Sequence, residues 1–543
     1  MKRHAQRRDL TLMVLMALTI RLVAANFVQR PGYMDTAYYT SGAIWTAQGG
    51  GLTQPFIWNY LNDPVGIPHP GFLYWMPLPS FLAAPAAALF PESYFALQVP
   101  FAILAALLPL VAYSLTRRAT GRRELAWGAG LLIIFSGFFF PYWTLPETFS
   151  PYALVGSLAL WLAGISNPAR RKGSIRVTHW LSVGLLVGLA HLTRADGVLL
   201  LPIVALAPSI SRRMASTETR GKNPDALGMA RSKADALRVS VTNLSMVIVG
   251  YGLVMGPWFA RNLVVLGTPL SAAGTKTIWL TEYDDLFCFD CDLSPSSYLA
   301  WGLGNIVHSK LAALWTNFQR FLAEDCLVFL FPFAVIGFYR LRRHLPFLLA
   351  SLYLIVIYLA HSLVFTFPGW RGGFFHASSA VLPFLYAAGL DGLDAATRWV
   401  AKQRTAWRYH QARSVFTTAA VIGAMMFSST IAWRKIPEWR GANALYEEVD
   451  RWLTSHDASG ARVMVGNPPA FWYHTERLTA IVPNEDVETL LRVADRYEMH
   501  YVLLEEDHPA QLANLHAGAV RHPRLRPVKT WSDQDSVLYA VHP

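Results

Sequence analysis

Eight polar residues of this 543-residue chain stand within a few positions of the end of an apolar run, and their types suit one kind of chemistry. Asp35 lies in "PGYMDTAYYT", His69 in "HPGFLYW", Glu147 in "TLPETFSPY", Arg194 and Asp196 in "LTRADG", Arg261 in "PWFARN", and Arg371 and His376 in "GWRGGFFHA". Moving a group off a lipid phosphate requires a base for the acceptor's hydroxyl proton and cations that hold the phosphate as its charge grows. Arginine suits the second task, because its planar fork grips two phosphate oxygens and stays ionised beside a low-dielectric slab. Each residue also has a plainer reading. Loop charges are commonly just solvated, an arginine near a helix end can snorkel to the headgroups, and His69 beside Pro70 fits a turn. Asp35 precedes the helical run "TAYYTSGAIWTA", where it fits an N-cap, and a capping aspartate can still accept a proton. Tyr38, with Tyr33, Tyr39, Trp58, Tyr60, Tyr74 and Trp75, can stack on a sugar or form an interfacial aromatic belt.

What positions these residues is a membrane domain. Hydrophobic residues make up 53% of the chain and charged residues 15%, more apolar surface than one soluble core buries. Runs long enough to cross the hydrocarbon are expected at 10–27, 94–116, 125–143, 148–165, 179–193, 197–210, 241–258, 325–340, 345–365, 377–390 and 414–432, eleven in all. The formal charge of +12 does not indicate nucleic acid, because the basic residues cluster between spans. With a cytoplasmic amino terminus, the inner loops 1–9, 117–124, 166–178, 211–240, 340–344 and 391–413 carry 27 basic against 7 acidic residues, as the positive-inside rule requires. The outer loops 28–93 and 259–324 then hold Asp35, His69 and Arg261, and shorter outer turns hold the other five polar residues. Arg21, inside the first span, is expected to form a structural ion pair. The opening "MKRHAQRRD" and the apolar stretch after it also resemble a signal peptide, but Arg21 interrupts that stretch. The basic segment 211–240 reads as a cytoplasmic linker.

Residues 1–432 thus form a transmembrane domain, and eleven crossings leave 433–543 outside. There the apolar runs shorten. "RVMVG", "LTAIV", "YVLLEE" and "SVLYAV" read as strands, while "GANALYEEVDRWLTSH" and "DVETLLRVADRYEM" read as amphipathic helices, giving a small α/β domain with "NPPAFWYHTER" as a loop. No nucleotide-binding motif is present. Cys288 and Cys291 in "CFDC" can close a local disulfide or stay free, and without a second pair they do not make a zinc site. Asp290 and Asp292 form a D-x-D in the same outer loop, which together with Glu282, Asp284 and Asp285 is read as acidic surface.

"GYMDTAYYTSGAIWTAQGG", "HPGFLYWMPLPSFL", "TLPETFSPYALVGSLALWL", "GLAHLTRADGVLLLP", "GPWFARNLVVLGTPL" and "RGGFFHASSAVLPFLYAAG" together resemble the GT-C membrane glycosyltransferases, near the protein O-mannosyltransferases and the aminoarabinose transferase of lipid A. The resemblance runs from residue 1 to about 390. It implies an all-α polytopic GT-C domain and an inverting transfer from a polyprenyl-phosphate-linked sugar to a protein, lipid or glycan acceptor at the outer face of a prokaryotic cytoplasmic membrane. Asp35 falls at the family's first-loop aspartate, which the resemblance makes a catalytic base or an acceptor-positioning carboxylate. A second acid often follows it, and here that position is Thr36. Glu147 resembles the acidic residue of the second outer loop. His69, Arg194, Arg261, Arg371, His376 and Tyr38 are the expected donor and acceptor contacts. No cofactor is assigned, and a divalent metal stays possible. A transporter or lipid flippase would instead show inverted repeats and midplane charges, and an O-antigen polymerase or ligase would carry its large outer loop late in the chain.

Overall fold

A computed structural model of the chain describes residues 2–165, 173–222, 233–404 and 407–542. Parts of four expected inner loops lie outside the described residues, including the middle of the 211–240 linker. The chain divides into two compact units, Met1–Phe27 with Val99–Val264 and Leu311–Lys435, and Val28–Gln98 with Val265–Lys310 and Ile436–Pro543.

The first unit is helical. Among the described residues of the whole chain, seven helices are long and apolar enough to cross a membrane: His4–Phe27, Tyr94–Thr120, Ala195–Met214, Val241–Leu266, Leu345–Val364, Thr366–Gln403 and Tyr409–Ser455. Four of the eleven expected runs fall on shorter helices, in two of them because the backbone breaks where hydropathy does not. The run at 125–143 ends as a helix at Ile134 and continues through Gly137, at φ 63°, into a 3₁₀ turn. The run at 325–340 begins with Leu327 and Val328 at positive φ, and its helix forms only over Phe331–Leu341. The runs at 148–165 and 179–193 yield Phe149–Gly164 and Val177–Thr193.

The helix Leu382–Gln403 is buried along most of its length and packs closely on Phe331–Leu341. A methyl group at Gly337 would collide with the Ala388 carbonyl, and one at Gly392 with that of Phe333. Such small residues let apolar helices approach backbone to backbone. Arg21 is fully buried, but a carboxylate is not its partner as expected. Its Nη2 donates to the Ile133 and Ile134 carbonyls at 3.0 and 2.9 Å, and its guanidinium faces the rings of Phe140 and Trp143. Those carbonyls end the helix Arg123–Ile134, where unpaired acceptors carry partial negative charge that attracts a cation.

The second unit centres on a six-stranded sheet, and its strands number in chain order as β1 (Thr53–Gln54), β2 (Phe56–Ile57), β3 (His69–Pro70), β4 (Val463–Val465), β5 (Thr479–Ile481), β6 (Tyr501–Leu504), β7 (Leu525–Trp531) and β8 (Ser536–Val541). The sheet order is β2-β5-β4-β6-β8-β7, parallel from β2 to β6 and antiparallel after it. Side chains alternate between its faces. Met464, Val502 and Leu504 pack with the helix Val487–Tyr497 on one face, and Val463, Val465 and Leu503 pack with Ala444–Ser455 on the other. The four strands and two helices expected in the tail are therefore present. The tail does not fold apart from the first outer loop, however: Phe56 pairs with Thr479 and Ile57 with Ala480, and Tyr60 donates its hydroxyl to the Ile481 carbonyl. The expected loop around "NPPAFWYHTER" is the helix Pro468–Thr475, started by Pro468 and Pro469 and capped by Asn467, whose side chain accepts from Ala470 N. Cys288 and Cys291 are joined in a disulfide.

Two outcomes test these accounts. Arg21→Met leaves two buried carbonyls without their donor and costs about 1–3 kcal/mol, read as a lower unfolding midpoint in detergent. Asp486 caps the helix Val487–Tyr497 by accepting from Thr489 N, and that bond holds its carboxyl below the ordinary range. An acid whose folded pKa is depressed adds stability above its unfolded pKa and loses it as pH falls through the folded one. Asp486→Ala thus costs about 1 kcal/mol near neutral pH, and chemical denaturation should show the deficit fading under acid.

Candidate functional site

In the second unit Asp35 is half-buried in the first turn of the helix Met34–Trp45. It is not the N-cap expected from its position. The helix starts one residue earlier, its N-cap is Tyr33 with no side-chain cap bond, and Asp35 sits where the helix dipole favours an anion. The rest of that helix is fastened down. Ala37 belongs to the core under the sheet, Ser41 Oγ donates to the Pro469 carbonyl at 2.9 Å, Ser80 Oγ donates to the Tyr39 carbonyl at 2.9 Å, and the Trp45 ring meets Trp472 edge-on. The helix Pro468–Thr475 therefore braces the element that carries Asp35.

Tyr38 does not meet the expectation of a substrate contact. It is completely buried, its ring is enclosed by Tyr39, Phe56, Trp58, Phe72 and Trp75, and its hydroxyl points to the Trp75 carbonyl at 3.5 Å. The Trp58 and Trp75 rings stack 4.1 Å apart, so this group is a packed aromatic core and not a belt. His69 Nε2 is bonded to the Phe56 carbonyl at 2.9 Å and braces β2. Asp290 is paired with Arg492 and Asp292 accepts from Ser294, which leaves the D-x-D as loop structure. Cys288, Cys291 and Glu485 lie close enough together to suggest metal ligands, but both sulfurs belong to the disulfide, and Glu485 accepts from Phe289 N and Asp290 N.

In the first unit several expected residues come together. Glu147 is buried, just before the helix Phe149–Gly164. Its neighbour Thr148 places Oγ1 2.8 Å from His376 Nδ1, and the His376 ring stacks on Phe149 with centroids 4.1 Å apart. Arg194 is gripped by Asp196 through two bonds, Nε to Oδ1 at 3.0 Å and Nη2 to Oδ2 at 2.7 Å. It also donates to the Gly373 carbonyl at 3.2 Å and lies over the Tyr152 ring. Segments 147–149, 194–196 and 373–376 thus share one polar neighbourhood. Arg261 is held near the end of the helix Lys233–Leu266 by Asn262 at 3.0 Å and by the Trp258 ring. Arg371 is exposed in a π turn, Gly369–Gly373.

Sequence reasoning missed two members of this neighbourhood. His361 is buried and donates Nε2 to Asp196 Oδ2 at 3.0 Å. An ionisable residue inside the expected span 345–365 was the available signal. Arg320 donates to the Trp370 carbonyl and, through Nε, to Glu324 at 3.0 Å. Nothing around it in the sequence distinguishes it from an ordinary loop charge.

Residues 69–220 match the family described as dolichyl-phosphate-mannose-protein mannosyltransferase. No curated protein matches the chain. Among solved structures, ArnT from Cupriavidus metallidurans bound to undecaprenyl phosphate aligns over 98% of this chain and 97% of its own, at 13% identity and a TM-score of 0.55. The oligosaccharyltransferase AglB from Archaeoglobus fulgidus, in complex with an inhibitory peptide and a dolichol-phosphate, aligns over 96% of this chain and 71% of its own, at 15% identity and a TM-score of 0.51. The Archaeoglobus fulgidus enzyme in complex with Zn and sulfate aligns over 94% and 69%, at 17% identity and a TM-score of 0.55. Backbone architecture over nearly the whole chain, the matched segment and the apolar helices agree, and this is a multi-pass membrane protein with the GT-C fold of membrane glycosyltransferases.

Proposed function

We propose that the protein moves a sugar from a polyprenyl-phosphate donor to an acceptor hydroxyl at the outer face of the cytoplasmic membrane, with its amino terminus in the cytoplasm. The observation that carries this reading is the architecture shared over almost the full length of ArnT, a protein crystallised with undecaprenyl phosphate. The Cys288–Cys291 disulfide supports the outward side, because such bonds persist in oxidising compartments. The basic residues of the proposed inner loops agree with it.

In this mechanism the Asp35 carboxylate takes the proton of the acceptor hydroxyl as its oxygen attacks the anomeric carbon. The bond from that carbon to the phosphate oxygen breaks, the phosphate leaves with the electron pair, and a single displacement inverts the anomeric centre. Arg261 and Arg371 bind the departing phosphate, whose charge rises in the transition state, where fixed cations contribute most. Glu147 orients the acceptor. Arg194, His69 and His376 hold their own segments in place through hydrogen bonds within their units. The donor arrives already attached to lipid, so the reaction needs no nucleotide pocket.

Purified protein in nanodiscs, given polyprenyl-phosphate sugars and candidate protein, lipid and glycan acceptors with and without a chelator, tests this directly. Asp35→Asn should lower transfer about 10²-fold or more while donor binding stays intact. Arg371→Ala should weaken donor binding about tenfold, the effect of losing one charge-assisted bond. Undiminished transfer by Asp35→Asn would remove that residue from its role, and unchanged affinity in Arg371→Ala would return Arg371 to a headgroup-facing surface charge.

A further inference from the structure

We propose that Arg194, Asp196, His361 and Arg320 form a clamp that fixes the backbone on both sides of Arg371 and so sets the direction of its guanidinium. The functional meaning of the clamp rests on the phosphate-binding role proposed for Arg371.

Arg371 stands in the middle of the π turn Gly369–Gly373. The carbonyl before it, of Trp370, accepts from Arg320 Nη1. The carbonyl two residues after it, of Gly373, accepts from Arg194 Nη2 at 3.2 Å. One short turn therefore has a guanidinium on either side of its exposed arginine. Each of these guanidiniums is fixed by its own carboxylate: Arg194 by both oxygens of Asp196, and Arg320 by Glu324 at 3.0 Å. The pairs neutralise one another, so the clamp adds no net charge beside Arg371.

His361 ties the pieces together. Its Nε2 donates to the same Asp196 oxygen that receives Arg194 Nη2, and its own turn, Ala360–Val364, is also a π turn. The imidazole lies directly against the Arg371 turn: a Cβ on Gly373 would come within 3.0 Å of His361 Nδ1 and 2.9 Å of the Pro368 carbonyl, and a Cβ on Gly369 would collide with the His361 carbonyl. Glycine at 373 leaves room for the ring, and glycine at 369 lets the two backbones approach at the His361 carbonyl. That carbonyl accepts from Asn317 Nδ2 at 3.4 Å, and Asn317 also donates to Ser362 Oγ at 3.0 Å, which ties the helix Leu303–Arg320 to the same turn. π turns recur at functional sites. An exposed side chain held on a doubly anchored turn keeps its geometry where a displacement of about 1 Å can cost a hundredfold in rate.

The full chain in nanodiscs, carrying a nitroxide label on Arg371→Cys in a Cys326→Ser background with Cys288–Cys291 oxidised, reports the motion of this turn by electron paramagnetic resonance. The parent spectrum should show a slow, restricted label. Arg320→Met and Asp196→Asn should each add a mobile component, whereas Arg340→Met, which breaks a pair with Asp391 elsewhere in the unit, should not. If neither clamp variant changes the line shape, the proposal is overturned. Arg320 is the less buried of the two, so its variant carries the test alone should Asp196→Asn fail to fold.

Undecaprenyl phosphate binding to unlabelled protein supplies the second readout. Arg320→Met should weaken it about tenfold, within the range expected of a displaced positioning group, and should add nothing in an Arg371→Ala background. Fully additive losses would give Arg320 a contact of its own and contradict positioning. A mobile label combined with unchanged binding by Arg371→Ala would uphold the clamp and remove the phosphate role instead.

Discussion

A carboxylate largely withdrawn from water among apolar helices has to be compensated where it stands, and much of the first unit's polar architecture follows from how this is done at Asp196, whose side chain is 10% exposed. Two N–H groups of Arg194 and one of His361 converge on its two oxygens. In a low-dielectric interior such bonds are strong, and losing one partner strands the others, which makes the arrangement specific as well as stabilising. Because Arg194 also reaches the Gly373 carbonyl, the charge compensation is at the same time a structural tie between the end of one helix and the turn that bears Arg371. Arg21 meets the same constraint differently, using helix-end carbonyls and ring faces in place of an acid.

The second unit is organised by main-chain pairing. Two residues of the first outer loop, Phe56 and Ile57, extend a parallel sheet whose next strand lies more than four hundred positions along the chain. Parallel pairing of this kind needs long connections and closure of a very large loop. Its result is that the helix carrying Asp35 rests on a sheet and on the helix Pro468–Thr475, so the proposed base sits on a rigid scaffold although it belongs to a segment that reads as a loop.

The broad architecture was legible in the sequence, since the apolar runs and the shift to short strands after residue 432 each follow from composition. The tail strands "RVMVG", "LTAIV", "YVLLEE" and "SVLYAV" formed where the short apolar runs placed them, and their residues are buried on both faces of the sheet. The features that escaped were those decided by tertiary contact. A two-residue strand at Phe56–Ile57 has no pattern to detect, and β7 is interrupted by Pro527 with a bulge, tolerable only at a sheet edge. Positive φ at Leu327 and Val328 shortens a helix that hydropathy extends. In the candidate site, Asp35, Glu147 and the arginines stood out because acids and arginines recur at the ends of several apolar runs. Tyr38 was overread, since an aromatic that stacks on a sugar and one that fills a core have the same sequence context. His361 and Arg320 became visible only once the carbonyls they serve were located.

The central claim is a single displacement on a lipid-phosphate donor, and the anomeric configuration of the product tests it most directly. With a polyprenyl-phosphate sugar of known configuration, nuclear magnetic resonance of the transferred residue should show the opposite anomer, accompanied by one equivalent of released polyprenyl phosphate. A product of retained configuration, or transfer that releases no polyprenyl phosphate, would contradict the account.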